Sequence, residues 1–259
     1  MGKSRDNHYV PIWYQEGFLD ATTKKTHYLD LKPETRLLSD GRVIQMNSQW
    51  QSSPSQCFCQ RDLYTTFFQT LFGQYVNDDI ETKLFGKIDN EGAPAIKSFL
   101  KNDLVNCNKY FQGFLEYIDA QKIRTPKGLD WLKSHYPNLN QNDLMKEMQA
   151  VRARHCSIWG EGVREIVSAE NSSIKFIVSD HPVTIYNSAF KLDDPSCNYP
   201  NDPSIALKGS QTIFPLNMNY CLILTNYEYA KNPETQDPKE IRTFNRYFKH
   251  SYMRTDSFI

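Results

Sequence analysis

The stretch of sequence from Asp78 to Val167 repeats apolar residues at helical spacing, and this pattern constrains the fold more than any other feature. In its first part, Ile80, Leu84 and Ile88 lie on one stripe of a helix with 3.6 residues per turn. Later stripes predict one or two helices, then a short helix, then a long helix, over residues 95–124, 129–135 and 141–167. The middle of the chain is therefore predicted to be mostly helical.

Two pairs of residues predict where these helices stop. Gly92 and Pro94 are poor residues for a helix interior, so we expect them to break or restart the first helix. Thr125 precedes Pro126, and a residue before proline avoids the helical region. The helix that passes through Arg124 is therefore predicted to end there.

Strand patterns flank the helical middle on both sides. Residues 28–31 and 41–46 predict two strands joined by a turn, and the polar residues 47–60 predict a surface loop. Near the other end of the sequence, Gln211–Pro215 and Tyr220–Thr225 predict a hairpin with a tight connection. Together these patterns predict an α+β fold with a mostly helical middle and a small, mainly antiparallel sheet formed by N-terminal and C-terminal strands.

The length of 259 residues fits one large domain or two small ones, and we expect a single domain over residues 1–259. The N-terminal motif and hairpin would occupy residues 1–60 and the helical middle residues 61–170. The C-terminal strands and a final helix would then occupy residues 171–259.

Charge and composition exclude some classes of function. Lys and Arg total 30, and so do Asp and Glu, so the zero net charge argues against a strong non-specific binder of nucleic acid or membranes. No apolar run is long enough to span a membrane and no signal peptide begins the sequence, so we expect a cytoplasmic protein without a membrane partner. The six cysteines are scattered and predict free thiols.

Residues 174–178 alternate in character and predict a strand beside the C-terminal hairpin. Three polar residues, Ser179, Asp180 and His181, follow at the tip of this strand before Pro182 stops the run. A rigid strand that ends in such residues is a common support for a functional site. The alternative is a Ser/Asp turn that satisfies its own backbone.

Asn7 and His8 precede Pro11, which suits the first turn of a helix, so we expect one of the two near a helix N-terminus. A histidine beside a helix N-terminus can contribute to an anion or substrate site. The alternative is that Asn7 caps the helix and His8 is a satisfied polar neighbour.

Polar residues in the helical middle form pairs at helical spacing. Glu81 and Asp89 lie near one helix face, where they can flank a cleft, bind a cation or form a solvated acidic face. Gln121 and Arg124 project together, and Arg124 can clamp a phosphate, cap the helix C-terminus or pair with an acid. His155 lies near the apolar stripe of the long helix, which favours a core histidine with a partner over a ligand.

The residues from 190 to 208 are rich in Asp, Pro, Ser and Asn and predict a long surface loop. Loops of this length in a compact domain tend to be functional lids or mobile segments. No P-loop, GxGxxG, GxSxG or HExxH motif occurs in the sequence. No standard signature therefore assigns the chemistry.

Short motifs in a fixed order resemble the bacterial and fungal domain-of-unknown-function 4238 family. They are NHYVP at 7–11, QxxRTP at 121–126, SDxPV at 179–183, FPL at 214–216 and an asparagine in the final helix at Asn245. Two acidic positions of the family match Glu81 and Asp89, although Asp89 stands where Glu is usual. His181 stands where the family usually has Asn.

The resemblance implies that the polar motif residues converge on one pocket, as they do in an active site. We expect a hydrolase, nuclease-like or nucleotide-directed, that cleaves a phosphodiester bond. His8 would act as general acid or base, Asp180 would orient it, and Arg124 would stabilise developing negative charge. The pocket would be built from His8, Glu81, Arg124 and Asp180, and substrate would be bound by Asn7, Tyr9, Gln121, Ser179 and Asn245.

A metal-dependent variant of this hypothesis uses the three carboxylates. Glu81, Asp89 and Asp180 would then hold Mg²⁺ or Mn²⁺, which favour oxygen ligands. No recognised metal motif spans these three positions. The substrate would be a nucleic acid or a nucleotide, and the neutral total charge makes a small or locally held substrate equally consistent.

The competing hypothesis is a non-enzymatic interaction or sensor module with a protein partner, for example in phage defence or a toxin system. In that case the polar motifs would form a buried hydrogen-bonding network that fixes the fold. Burial and mutual bonding of the motif residues would favour this module, whereas exposure in a cleft would favour the enzyme.

Overall fold

The computed structural model describes residues 6–20, 22–64, 85–191 and 193–226. The helices in these ranges are α1–α6, which span Ile12–Gln15, Gly86–Leu100, Leu104–Lys109, Phe111–Ile123, Pro126–His135 and Gln141–Glu161. The strands in the same ranges are β1–β10, which span Asp6–His8, Thr26–Leu29, Thr35–Leu37, Val43–Gln45, Gln49–Ser52, Cys59–Arg61, Val163–Ser168, Thr184–Tyr186, Gln211–Pro215 and Tyr220–Thr225. The predicted α+β class is confirmed.

The strands form small antiparallel sheets. The C-terminal strands make a four-stranded sheet in the order β7-β10-β9-β8, in which Leu222 of β10 lies opposite Ile166 and Phe214. Among the described residues, the N-terminal strands pair with one another, β1 with β6, β2 with β5 and β3 with β4. The predicted hairpin at Gln211–Pro215 and Tyr220–Thr225 is confirmed residue for residue.

Side-chain caps explain where three of the helices begin. Asp103, Thr125 and Asn140 each accept a hydrogen bond from the backbone N–H three residues later, which satisfies a donor that the first turn leaves free. The predicted stop before Thr125 and Pro126 is confirmed, because α4 ends at Ile123 and α5 begins at Pro126 with Thr125 as its cap. This tight junction joins α4 to α5.

The predicted break at Gly92 and Pro94 is wrong, because α2 runs through both residues. Gly92 has a packing role instead. A Cβ added there would lie 2.5 Å from Cγ of Tyr117, so the helix can approach the Tyr117 ring only with glycine at this position.

The predicted strand at residues 174–178 is also wrong. These residues are irregular, and Ile174 and Ile177 are each 78% exposed. Strand β10 already pairs with β7 on one edge and with β9 on the other. It therefore has no free edge at which residues 174–178 could add as a further strand. Only the backbone N–H of Phe176 reaches the hairpin region, where it donates to the carbonyl of Met218 at 2.9 Å.

Three further expectations for the N-terminal part of the chain are corrected. Asn7 and His8 lie in β1 rather than at a helix N-terminus, and α1 begins after Pro11 without a side-chain cap. The predicted strands near 28–31 and 41–46 do not pair with each other, because β2 pairs with β5 and β3 with β4. The predicted loop at 47–60 contains β5 and the start of β6.

An aromatic cluster joins the N-terminal segment to the helices and to the C-terminal sheet. Tyr14 stacks on Phe214 with ring centroids 5.3 Å apart, and its hydroxyl donates to the carbonyl of Pro215. Trp13 packs on Tyr117 of α4 at 5.3 Å. The NHYVP and FPL segments therefore meet through the core, where Tyr14, Tyr117 and Phe214 are all buried.

Candidate functional site

A cavity of about 500 Å³ lies between the helices α4–α6 and the irregular segment that follows residue 195. This volume is in the range of small-molecule sites. Its polar and aromatic lining comprises Lys122, Lys127, Trp131, His135, His155, His181, Ser196, Asn201, Asp202 and Ser204. The α4–α5 junction places Lys122 and Lys127 at the cavity, and the segment with Asp202 lies directly against them.

Asp202 bridges the two lysines of the cavity. Its Oδ2 accepts from Nζ of Lys122 and its Oδ1 from Nζ of Lys127, each at 2.5 Å. Burial opposes the charged form of Asp202, but His181 and the two lysines outweigh it and hold its pKa well below the usual range. Burial also lowers the pKa of Lys122, with Asp202 acting against the shift. The carboxylate of Asp202 therefore stays charged at neutral pH.

His181 links this cluster to the start of α5. Its Nδ1 lies 2.7 Å from Oγ1 of Thr125, and its Nε2 lies 3.6 Å from Oδ2 of Asp202, beyond a direct hydrogen bond. Burial is the main cause that lowers the pKa of His181, and Asp202 only partly offsets it. The ring is therefore neutral at pH 7.

His155 of α6 is held by a buried carboxylate. Its Nδ1 lies 2.7 Å from Oδ1 of Asp119, and Nε of Arg152 donates to Oδ2 of the same carboxylate at 3.1 Å. Asp119 is fully buried in α4. Among the described residues Nε2 of His155 has no hydrogen-bond partner, so one ring nitrogen is oriented and the other is free for a ligand. His155 has the expected partner, but it is half-buried at the cavity rather than part of the core.

An aromatic surface and a second loop contact complete the cavity. Trp131 stacks on His135 with ring centroids 4.4 Å apart, and both residues line the cavity. The hydroxyl of Tyr199 donates to Asp130 of α5 at 2.5 Å and ties the irregular segment to the helix. The flat Trp131 ring suits an aromatic or heterocyclic ligand group.

Arg124, predicted to stabilise developing charge, lies in the protein interior. It is 2% exposed, and its Nη1 donates to Oδ2 of Asp89 at 2.8 Å. The orientation of the Gln121 amide is assigned from its neighbours, and in this orientation its oxygen accepts hydrogen bonds from Nε and Nη2 of Arg124. Gln121 is fully buried, and none of the three residues lines the cavity.

Four of the other predicted residues, Asn7, His8, Ser179 and Asp180, lie in β1 or at the surface. Nε2 of His8 lies 3.1 Å from the carbonyl of Ser55, and Asn7 is fully buried. Ser179 accepts from the backbone N–H of His181 at 3.2 Å, which is the turn that the alternative interpretation describes. Asp180 is exposed. Burial is the main cause of the raised pKa of Tyr9, and the negative charge of Asp180 is the second.

Two predicted site residues, Glu81 and Asn245, lie outside the described residues, as does the predicted final helix. Asp89 pairs with Arg124, and Asp180 lies beside Tyr9. Within the described ranges, no three His, Cys, Asp or Glu side chains gather closely enough to hold a metal ion. All six cysteines are free thiols, as predicted.

None of the residues that line the cavity was among the predicted site residues. Two of the motifs nevertheless contribute to the lining, because Lys122 belongs to QxxRTP and His181 to SDxPV. Lys127 follows directly after the QxxRTP motif, which ends at Pro126. No sequence feature marks Asp202 as a site residue except its position in a long loop, and no sequence feature marks Asp119.

Comparison with known proteins gives no match, because no protein-family model, curated protein or solved structure corresponds to this chain. The resemblance drawn from the motifs therefore stays a prediction. Among the helices that the structure describes, none has the length and apolar character needed to cross a membrane.

Proposed function

We propose that the protein is a hydrolase that cleaves a phosphodiester bond in a nucleotide-sized substrate bound in the cavity between α4–α6 and the segment with Asp202. The volume of about 500 Å³ suits one nucleotide-sized molecule rather than a polymer. Lys122 and Lys127 match the charge of a phosphate, and Trp131 matches the flat face of a base.

The observation that carries this proposal is the pairing of His155 with Asp119 at the cavity. A histidine whose Nδ1 is fixed by a buried carboxylate has its Nε2 available for proton transfer. In the proposed reaction Nε2 of His155 takes a proton from a water molecule, and the resulting hydroxide attacks phosphorus. The bond to the leaving oxygen breaks, and that oxygen receives the proton back from His155 or from solvent.

The experiment measures turnover of a chromogenic phosphodiester, bis(4-nitrophenyl) phosphate, and of a panel of mono- and dinucleotides. We expect His155→Ala to lower kcat by about 10²–10⁴-fold, the usual contribution of a general acid or base. Asp119→Asn is expected to lower kcat with little change in KM, because Asp119 acts only through His155. Circular dichroism and urea unfolding establish that each variant is folded.

The matched control is His27→Ala, which removes an exposed histidine of β2 whose ring nitrogen lies 3.3 Å from the Gln51 amide. This variant should keep full activity. Equal activity of His155→Ala and His27→Ala would exclude His155 as the base. Loss of activity in His8→Ala or Asp180→Ala instead would place the reaction at the residues predicted from the motifs.

The second candidate is the non-enzymatic interaction or sensor module, and one observation favours it. Asn7, Gln121 and Arg124 are buried, and Gln121, Arg124 and Asp89 bond to one another. This is the arrangement expected of a network that fixes the fold. Binding of a nucleotide without turnover by the folded protein would support a sensor over a hydrolase.

A further inference from the structure

The carboxylate of Asp202 has the position and contacts of a bound anion. Each of its oxygens meets one lysine ammonium at 2.5 Å, and the side chain is 12% exposed. Lys122 and Lys127 are also mostly buried, with side-chain exposures of 17% and 24%. A two-oxygen anion therefore fits between two cations at the wall of the cavity.

The two sides of this contact differ in secondary structure. Lys122 lies at the C-terminal end of α4 and Lys127 in the first turn of α5, so both are fixed by regular structure. Asp202 belongs to an irregular segment. This segment has other attachments, because Tyr199 donates to Asp130 and Asn226 donates to the carbonyl of Ile205 at 3.0 Å. Asp202 can therefore leave the lysines while the segment stays attached at both sides.

The charges favour an incoming anion. Two lysines and one aspartate leave one positive charge in the cluster, and the histidines of the cavity add no negative charge. A terminal phosphate or pyrophosphate carries more negative charge than a carboxylate and offers more oxygens to the same donors. It can therefore compete with Asp202 for the two ammonium groups.

We propose that Lys122 and Lys127 form a subsite for a terminal phosphate of the substrate, and that Asp202 occupies this subsite when no ligand is bound. The inference rests on the cavity being the substrate site proposed above. The segment that carries Asp202 then acts as an internal competitor, and every phosphorylated ligand must displace it.

The test measures binding of inorganic pyrophosphate by isothermal titration calorimetry, with the full chain as wild type and as Asp202→Asn. Removing the competing carboxylate should tighten binding by about tenfold, because a larger fraction of molecules is then competent to bind. Lys122→Gln and Lys127→Gln should each abolish measurable binding. Asp40→Asn, which breaks an exposed pair of an aspartate with Arg42 outside the cavity lining, should bind like wild type.

Hydrogen exchange on the wild-type protein provides a second measurement that does not depend on how Asp202→Asn folds. Saturating pyrophosphate should speed exchange in residues 199–205, since Asp202 loses its lysine contacts. Unchanged or slower exchange there, or binding by a folded Asp202→Asn that is no tighter than wild type, would overturn the subsite. If Asp202→Asn binds more tightly but no substrate is hydrolysed, the subsite stands and the hydrolase proposal falls. If hydrolysis depends on His155 but Asp202→Asn gains no affinity, only the subsite falls.

Discussion

Oγ1 of Thr125 lies 2.7 Å from Nδ1 of His181, and this contact joins two segments that are 56 residues apart in the sequence. The same hydroxyl oxygen accepts from the backbone N–H of Gly128 at 3.2 Å and so caps α5. One side chain therefore fixes the start of α5, which carries Lys127, and the position of His181 beside Asp202.

Removal of the Thr125 hydroxyl should destabilise the protein. Thr125→Val keeps the side-chain volume but loses the cap and leaves Nδ1 of the buried His181 without its partner. Loss of a cap typically costs about 1 kcal/mol and an unsatisfied buried group about 1–3 kcal/mol, so we expect the free energy of unfolding to fall by about 2–3 kcal/mol. Urea unfolding followed by circular dichroism measures this change.

Thr125→Ser is the control for that variant, because it keeps the hydroxyl and removes only a methyl group. Its loss of stability should be about 1 kcal/mol or less. Equal destabilisation by the Val and Ser variants would show that the hydroxyl contacts contribute nothing.

His181 should make stability depend on pH. Its pKa is lowered in the folded protein, so the unfolded chain takes up the proton first. Its contribution is therefore complete above the unfolded pKa of about 6.5 and is lost as the pH falls through the folded pKa. The neighbouring charged groups are Asp202, which opposes the shift, and Lys122 and Lys127, which add to it.

His181→Asn should flatten the decline in stability below about pH 6.5, because asparagine does not titrate. Urea unfolding at pH 7.5 and pH 5.0 gives the comparison. His27→Asn, at an exposed position of β2, should decline as steeply as wild type. An equally steep decline in His181→Asn would assign the acid sensitivity to other groups.

Gly92 should tolerate no side chain. The Cβ of Gly92→Ala would lie 2.5 Å from Cγ of the buried Tyr117, so α2 and α4 must move apart, at a cost of about 1–3 kcal/mol. The matched change is Gly160→Ala in α6, where the nearest heavy atom outside its own helix backbone and adjacent residues lies 3.9 Å from the new Cβ. That variant should be neutral or more stable by up to about 1 kcal/mol. Thermal unfolding of both variants tests the contrast, and similar melting temperatures would contradict it.

The elements that local chemistry determines were predictable from the sequence. Strand β9 alternates in burial, and Oδ1 of Asn217 accepts from the backbone N–H groups of Asn219 and Tyr220, which builds the turn between β9 and β10. The stop before Pro126 is equally local. These features depend on neighbouring residues, and the sequence displays neighbouring residues directly.

The remaining features depend on distant contacts. Residues 174–178 have a strand-like composition, but β10 already pairs on both edges, which a single segment cannot reveal. Gly92 signals a helix break unless the Tyr117 ring is known to lie against it. Asp202 meets Lys122 across 80 positions of sequence, and no periodicity records such a contact. The candidate site was therefore predicted as segments, and its cavity-lining side chains required the tertiary structure.

The buried pair of Arg124 and Asp89 should respond unequally to the loss of either partner. Arg124 is 2% exposed and cannot reach water, whereas the Asp89 side chain is 26% exposed. Asp89→Ala therefore leaves a buried cation without its counter-charge and should cost about 3–5 kcal/mol. Arg124→Met leaves an anion that water can partly solvate, so its cost should be smaller. The double variant should cost less than the sum of the two, by about 1–3 kcal/mol of coupling measured by urea unfolding. If the losses of unfolding free energy in the two single variants simply add, Arg124 and Asp89 do not stabilise each other. In that case apolar packing alone holds α2 against α4.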